Sequence, residues 1–261
     1  MFKLITENIY KLDIPFENIT TSSFLVRTRE GDILVDCGTY ESDVTDILLP
    51  ALREIKADVK YLFITHFHGD HAGGTPTLIK VIPPFKCLSF SEDFCHRFDG
   101  ILLTDKMEIM PDICFLSLPG HSADSGALLD KRTGSLITGD CLQLWGISKY
   151  GCGVGQPNEY KKTLQRLKSQ PPKNIFAAHE YYPLGSIAMG KEAVDEYIDE
   201  CSRIYSEVCE FTLSQKKKDI ADIDKIAADF MNEKRKTHPN MPTIQPCVFE
   251  CVFNADNLCQ K

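Results

Sequence analysis

The chain has 261 residues, 43% apolar and 25% charged, which is enough for one large domain or for a core domain with a helical appendage. Its net charge of −8 does not favour a nucleic-acid partner, and no apolar stretch reaches the roughly 18 residues needed to cross a bilayer. The N-terminal segment MFKLITENIYKLDIPF lacks the apolar core and cleavage site of a signal peptide. We therefore expect a cytoplasmic protein that acts on a small molecule, without a nucleic-acid or membrane partner. The sequence does not indicate its oligomeric state.

The strands predicted from apolar, β-branched runs begin near the N-terminus and continue beyond the middle of the chain. They cover residues 8–13, 23–28, 32–36, 59–65, 87–90, 113–118, 127–129, 135–138 and 174–177. Helical periodicity predicts helices at 42–56, with Ser42 as its cap and a kink or break at Pro50, and at 159–167. Strands with helices between them favour an α/β layered domain.

After about residue 186 the strand pattern fades, and two apolar stripes with helical spacing take its place. They span residues 193–208 and 220–230, on either side of a lysine run at 216–218. We predict a catalytic domain at 1–185 and a helical C-terminal extension at 186–261 that packs on the core.

Eleven cysteines are a high and odd number, and no export signal accompanies them. Reduced, mostly buried thiols are therefore expected rather than a disulfide framework. Cys247, Cys251 and Cys259 lie close together in sequence, but no CxxC pair occurs and the first two have ordinary helical spacing. This pattern does not favour a structural metal site.

The segment THFHGDHAGG, residues 65–74, places three histidines and one aspartate within six residues. His66 and His68 alternate around one residue, so both can face the same side of an extended loop. Asp70 and His71 follow one tight turn later, which Gly69 permits, and can face a second point. Imidazole and carboxylate ligands suit Zn²⁺, Fe and Mn²⁺.

Three further candidate ligands each follow a predicted strand. They are His121 in LPGHS, Asp140 in LITGD and His179 in FAAHE. Binding residues are concentrated in loops at the ends of strands. In a chain that already carries the four-residue cluster, these positions predict completion of a site for two metal ions.

These residues carry a family resemblance. The segment THFHGDHAGG resembles the HxHxDH signature of the metallo-β-lactamase superfamily, and the GH, GD and AHE segments follow in the family's order over roughly residues 20–185. The resemblance implies an α/β fold, the four-layered αββα sandwich, with the metals at one edge between the two sheets.

The resemblance also implies a distribution of ligands. His66, His68 and His121 would hold one ion, Asp70, His71 and His179 the other, and Asp140 would bridge them. Asp36, in ILVDCG, resembles the family's buried aspartate that supports the metal-binding loops, although an ordinary turn aspartate is the alternative reading.

Two divalent ions, expected to be zinc with iron or manganese as alternatives, make a hydroxide available near neutral pH, because a metal-bound water has a pKa near ~7. Such a hydroxide would attack a carbonyl or similar electrophile. Asp70 is the expected catalytic residue, which accepts the proton or orients the nucleophile.

Several branches of the family fit less well. Asp140 stands where some zinc β-lactamases have a cysteine, the chain lacks the length and basic charge of the nucleases, and His68 argues against the flavodiiron branch. The sequence therefore favours hydrolysis of an ester, thioester or lactone. A mononuclear iron oxidoreductase of the persulfide dioxygenase type, or a β-lactam or phosphodiester hydrolase, is the alternative.

The substrate is not fixed by these patterns. His179-Glu180-Tyr181 resembles the HEY segment of glyoxalase II, but no basic glutathione-binding pattern is evident, and Lys234 and its neighbours favour a solvated helix end. Trp145 and Tyr150 either line the substrate pocket or pack in the core. The C-terminal helices supply no predicted ligand, so we expect them to affect substrate binding rather than metal binding.

Overall fold

The computed structural model describes residues 1–82, 84–145, 153–237 and 244–255, and its strands assemble into two β-sheets. The first sheet contains β1 (Lys3–Leu4), β2 (Ile9–Phe16), β3 (Ile19–Thr28), β4 (Gly31–Val35), β5 (Val59–Ile64), β6 (Lys86–Ser89) and β7 (Ile101–Leu102), side by side in chain order. Strands β1 to β4 pair antiparallel, and β4 to β7 pair parallel.

The second sheet contains β8 (Met107–Met110), β9 (Ile113–Ser117), β10 (Gly126–Asp130), β11 (Ser135–Gly139), β12 (Asn174–Tyr181) and β13 (Gly185–Met189). Their spatial order is β13-β12-β11-β10-β9-β8. Only the β11–β12 pair is parallel among the described strands of this sheet, because a helical crossover joins these two strands.

The helices cover the outer faces of the sheets. A π-helical segment (Asp43–Leu48) runs directly into α1 (Leu49–Glu54), and α2 (Gly69–Ala72), α3 (Thr75–Val81), α4 (Glu92–Phe98), α5 (Pro157–Ser169), α6 (Lys191–Lys216), α7 (Ile223–Arg235) and α8 (Pro246–Asn254) follow. No helix among the described residues is long and apolar enough to span a bilayer.

Three apolar clusters fill the spaces between the four layers, which are helices, sheet, sheet and helices. The cluster between the sheets contains Phe24 stacked on Phe176, with ring centroids 6.3 Å apart, and Phe63 edge-on to Phe115 at 4.9 Å. A second cluster joins the first sheet to the helices up to α4, and a third joins the second sheet to α5–α8. The predicted αββα sandwich with C-terminal helices is therefore confirmed.

The predicted helix at 42–56 is present, but with a different beginning. Ser42 makes no capping hydrogen bond with its side chain. The carboxylate of Asp43 instead accepts from the backbone amides of Thr39 and Tyr40, at 2.8 and 2.9 Å. The helix continues through Pro50, which lies in the first turn of α1, and in place of the predicted kink or break the π-helical segment changes to α-helix just before it.

Strand β13 was not predicted. Its sequence GSIAM is short and contains a glycine, and it becomes a strand by pairing antiparallel with β12. The predicted division after residue 185 falls inside this strand, and the helical part of the chain begins at Lys191.

The prediction of reduced, mostly buried thiols is confirmed for the nine cysteines that the structure describes. All nine are free and seven are buried, whereas Cys247 is exposed and Cys251 is half-buried. Cys259 lies outside the described residues.

Candidate metal centre

The seven predicted ligands meet at one edge of the sandwich, where strands of both sheets end. His66, His68, Asp70 and His71 follow β5, and the last two lie in the first turn of α2. His121 follows β9 and Asp140 follows β11, as predicted. His179 lies within β12, which extends to Tyr181, four residues beyond its predicted end.

Three histidines form a first group. Nε2 of His66 lies 3.0 Å from Nδ1 of His68, and Nε2 of His121 lies 3.1 Å from the same nitrogen. His66 is buried, whereas His68 is exposed. The three ring nitrogens thus surround one point.

Asp70, His71 and His179 form a second group. Oδ2 of Asp70 lies 3.3 Å from Nε2 of His71 and 3.4 Å from Nε2 of His179. Two ligand atoms at about 2.0–2.1 Å from a tetrahedral ion are separated by about 3.3–3.4 Å. The spacing of this group therefore fits a bound cation better than it fits hydrogen bonds between its members.

The carboxylate of Asp140 lies between the two groups. Its Oδ1 is 3.4 Å from Nε2 of His179, and its Oδ2 is 3.7 Å from Nε2 of His121. Nε2 of His71 and Oδ1 of Asp140 are buried without a hydrogen-bond partner. Buried polar atoms are rarely left unsatisfied, so this pair of orphaned atoms fits a site completed by divalent cations.

Asp36 lies behind the ligands and holds them by hydrogen bonds, as predicted. Its Oδ2 accepts from Nδ1 of His71 at 2.7 Å and from the hydroxyl of Thr65 at 2.9 Å, while its Oδ1 accepts from the backbone amide of Thr65. The Thr65 hydroxyl is also 3.2 Å from Nδ1 of His66. A single buried carboxylate thereby orients a histidine of each group.

Backbone carbonyls orient two of the other histidines. Nδ1 of His121 donates to the carbonyl of Gly153 at 2.9 Å, and Nδ1 of His179 donates to the carbonyl of Thr20 at 2.7 Å. Each bond places the proton on Nδ1 and leaves the lone pair of Nε2 facing its group. Sequence reasoning missed these carbonyls, since any residue type can supply one.

Gly139 allows the two sheets to approach each other beside the ligands. Its φ is +51°, and an added Cβ would lie 2.4 Å from Oγ1 of Thr65. A side chain at this position would displace the residue that links Asp36 to His66. The glycine in LITGD is therefore required by the same contacts that place Asp140.

Comparison with known proteins agrees with this arrangement. Residues 18–84, which include β3, Asp36 and the histidine cluster, match the family model of the metallo-beta-lactamase superfamily. The chain is thus similar to members of the metallo-β-lactamase superfamily in sequence and in fold. A solved structure of a metallo-beta-lactamase family protein from Thermus thermophilus superposes with a TM-score of 0.69 at 17% identity, over 95% of this chain and 92% of that one.

Curated proteins that are similar to this chain have different names. A beta-lactamase-like protein 2 homolog from Caenorhabditis elegans is 31% identical over 71% of this chain and 63% of its own length. A hydroxyacylglutathione hydrolase from Nostoc punctiforme is 31% identical over 51% of this chain and 55% of its own length. An atrochrysone carboxyl ACP thioesterase from Aspergillus terreus is 25% identical over 52% and 48%. The chain thus spans about half to under two thirds of the curated relatives it matches.

The buried acidic and basic groups of the site shift one another's pKa values. Burial lowers the pKa of His71, but the carboxylates of Asp70, Asp36 and Asp140 more than offset it and raise that pKa well above its usual value. Burial raises the pKa of Asp140, but His179 and His71 hold it well below the usual range. Burial, followed by the neighbouring His71, lowers the pKa of His66. Ionised carboxylates and a neutral imidazole are the forms that bind cations, so Asp140 and His66 are in the binding form, whereas His71 would release a proton when a cation binds.

A cavity of about 630 Å³ opens onto the site. Its floor contains His68, Asp70, His121, Asp140 and His179, and its walls come mainly from apolar side chains and glycines. The walls are Phe16, Ile19, Phe67, Gly69, Gln143, Gly153, Val154, Gly155, Tyr181, Gln245, Cys247, Val248 and Cys251. No lysine or arginine is among these described lining residues.

The structure shows the location of several residues whose role the sequence left open. Trp145 is buried, lies 6.2 Å from the ring of Phe230 and does not line the cavity, so it packs in the core. Tyr150 lies outside the described residues. Lys234 pairs with Glu207 at 2.6 Å rather than facing the cavity. Helix α8 lies within the predicted helical extension, but its contact with the cavity, to which it supplies Cys247, Val248 and Cys251, was not predicted.

Proposed function

We propose that this protein is a hydrolase that uses two divalent metal ions, expected to be zinc. Its proposed substrate is a thioester whose acyl group is uncharged and mainly apolar. Esters and lactones with the same acyl group are the secondary substrates. The observation that carries the proposal is the position of the two ligand groups at the floor of an apolar cavity of about 630 Å³. Substrate sites of this size are lined mainly by apolar groups, with a few polar groups that fix orientation.

The proposed ligand sets follow the geometry of the two groups. His66, His68 and His121 would hold one ion, Asp70, His71 and His179 the other, with Asp140 between them. When bound, two divalent cations supply an acidified water and a Lewis acid for the carbonyl oxygen.

The side chains around the ions have separate roles in this reaction. Asp70 lines the cavity, and His71 and His179 keep its pKa low despite burial, so it stays an ionised carboxylate that would orient the attacking water. Phe16, Ile19 and Val248 lie along the cavity walls and would bind the acyl chain and exclude bulk water. A dry cavity strengthens each electrostatic contact with the developing oxyanion.

The charge of the cavity lining favours a substrate whose leaving group, the thiol that carries the acyl chain, is neutral. The described cavity lining contains no lysine or arginine, and the chain carries a net charge of −8. A phosphodiester or a glutathione carrier would bring negative charge without a cationic partner from this lining. The ACP thioesterase among the relatives supports thioester chemistry, and the named substrate of the hydroxyacylglutathione hydrolase is also a thioester.

The test is a substrate panel on protein whose metal content has been measured. Acyl chains of two to ten carbons are offered as N-acetylcysteamine thioesters, as matched glutathione thioesters and as oxygen esters, beside a lactone, a β-lactam and an aryl phosphodiester. We expect the highest kcat/KM for a neutral thioester with a medium apolar chain, and two ions per chain. Preference for the phosphodiester or the β-lactam would refute the substrate class. Oxygen consumption with a persulfide, together with one iron per chain, would replace the proposal with the oxidoreductase.

A further inference from the structure

Strand β3 carries a polar run, Thr20 to Ser23, in the middle of the first sheet. Thr21, Ser22 and Ser23 are 2%, 0% and 1% exposed, in a strand whose neighbouring residues are apolar. Burying a hydroxyl costs free energy unless it finds a partner. Ser22 donates to Asp13 on the neighbouring strand, whereas the partners of Thr21 and Ser23 lie at the second ligand group or among its supports. This gives the strand a role beyond the core.

Thr21 contacts a proposed ligand atom directly. Its hydroxyl donates to Oδ2 of Asp70 at 3.1 Å, and this is the same oxygen that lies within 3.4 Å of Nε2 of both His71 and His179. The side chain of Asp70 is 15% exposed, since it also faces the cavity. The hydroxyl of Thr21 therefore adds a directional hydrogen bond to a carboxylate that faces the two histidines and the cavity.

The same strand supports the other two members of the second group. The carbonyl of Thr20 accepts from Nδ1 of His179 at 2.7 Å. The hydroxyl of Ser23 donates to the carbonyl of Asp36 at 2.8 Å, and the carboxylate of Asp36 orients His71. In the first group, the carbonyl of Gly153 holds His121, and Asp36 reaches His66 through the hydroxyl of Thr65. The direct contact of Thr21 with Asp70 is what distinguishes the second group.

We infer that Thr21 is a positioning residue for the cation held by Asp70, His71 and His179, and that it sets the affinity of that site without changing the other. The inference rests on the two ligand sets of the proposed function but not on its substrate. Loss of a group that orients a metal ligand typically lowers metal affinity by about 10–100-fold. Because Thr21 touches one ligand of one group, the loss falls on one of the two ions.

The experiment compares Thr21→Val, which keeps the shape and removes the donor, with Thr21→Ser, which keeps the donor. Metal-free protein is titrated with Zn²⁺ in competition with a chromophoric chelator, so that two successive Kd values are resolved. We expect Thr21→Val to raise one Kd by about 10–100-fold and to leave the other within about twofold. Thr21→Ser should restore the wild-type value within about threefold. Activity of Thr21→Val should be deficient at limiting zinc and recover at saturating zinc.

Thr212→Val is the matched control, because it removes an equally buried threonine hydroxyl, which donates to the carbonyl of Val208 far along α6. Its two Kd values should equal those of the wild type, even if its unfolding midpoint falls. Equal weakening of both ions in Thr21→Val would overturn the inference and indicate a general structural role. Unchanged Kd values, or no rescue by serine, would overturn it as well. If the wild-type protein binds one ion, both the inference on Thr21 and the two-ion site are wrong. The substrate panel would then still test the proposed reaction independently.

Discussion

The carboxylate of Asp36 accepts a hydrogen bond from Nδ1 of His71 across 2.7 Å, and both side chains are buried. The same carboxylate accepts from the amide and the hydroxyl of Thr65, immediately before His66. Asp36 thus fixes the ring of His71 and the beginning of the histidine-rich loop with one side chain. Its backbone has a φ of +57°, a conformation that aspartate adopts more readily than most residues.

Asp36→Asn is therefore expected to lower zinc affinity by about 10–100-fold. The asparagine amide is uncharged and has one accepting oxygen, so it cannot accept hydrogen bonds from both His71 and the backbone amide of Thr65. Zinc retained after dialysis against a graded chelator series measures the effect. Asp32→Asn is the control, since Asp32 is also buried but accepts from the amide of Asp58, away from the ligands. Equal zinc retention in the two variants would contradict the role of Asp36.

The ligand positions could be predicted from the sequence because they use rare residue types in unusual density. Histidine and aspartate at strand ends have few structural uses in combination, so their spacing is informative. Thr21 and the carbonyl of Thr20 were not predictable in the same way. Threonine and serine are ordinary strand residues, and only the folded sheet shows that they lie against Asp70 and His179.

Asp140→Ala should reduce turnover and leave the fold intact. Without its carboxylate between the two groups, we expect kcat/KM to fall by about a hundredfold and the second ion to bind more weakly. The unfolding midpoint of metal-free protein should shift by less than about 4 °C, which corresponds to roughly 1 kcal/mol in a domain of this size.

Asp130→Ala provides the converse case. Asp130 is fully buried in β10, where it accepts from Asn8 at 2.7 Å, so its loss should destabilise the fold while zinc affinity stays unchanged. Calorimetry and zinc titration of both variants form the test. Wild-type turnover and full metal content in Asp140→Ala would show that this residue does not bridge the ions.

Cys247 should be the reactive thiol of the cavity, because it is the exposed one among the nine described cysteines and lies in the cavity wall. One equivalent of a bulky maleimide is expected to reduce kcat/KM by at least about tenfold without releasing zinc. Peptide mapping identifies the modified residue. Cys247→Ser should retain activity and resist the reagent, whereas Cys251→Ser should remain sensitive. Full activity of protein labelled at Cys247 would exclude a substrate path past this residue.

Ile19→Trp should shorten the accepted acyl chain. Ile19 begins β3 and lines the cavity, so a larger side chain would occupy volume that a long chain needs. We expect kcat/KM for ten-carbon substrates to fall by about tenfold or more, with two-carbon substrates affected by less than about threefold. Ile187→Trp, at an exposed position on β13, is the control. A uniform loss across chain lengths would place the acyl chain elsewhere.

The strand pattern predicted an α/β layered domain and the family resemblance implied the sandwich, but neither indicated β13 or the role of α8. Strand β13 depends on its neighbour β12 for its hydrogen bonds, and GSIAM has no strong periodicity of its own. Helix α8 has a helical stripe that any core helix would show. Its contact with the substrate cavity is a consequence of tertiary packing, which local periodicity does not encode.

The distribution of the ligands over both sheets has a consequence for biosynthesis. His179 is the last of the seven along the chain, and the carbonyl that orients it belongs to Thr20, 159 residues earlier. A nascent chain therefore has neither the full set of donors nor their orientation until most of the sandwich has been synthesised. If the second group holds a cation as proposed, its uptake has to follow assembly of the two sheets, and we expect protein made while zinc is scarce to be folded and to bind zinc when it is supplied later.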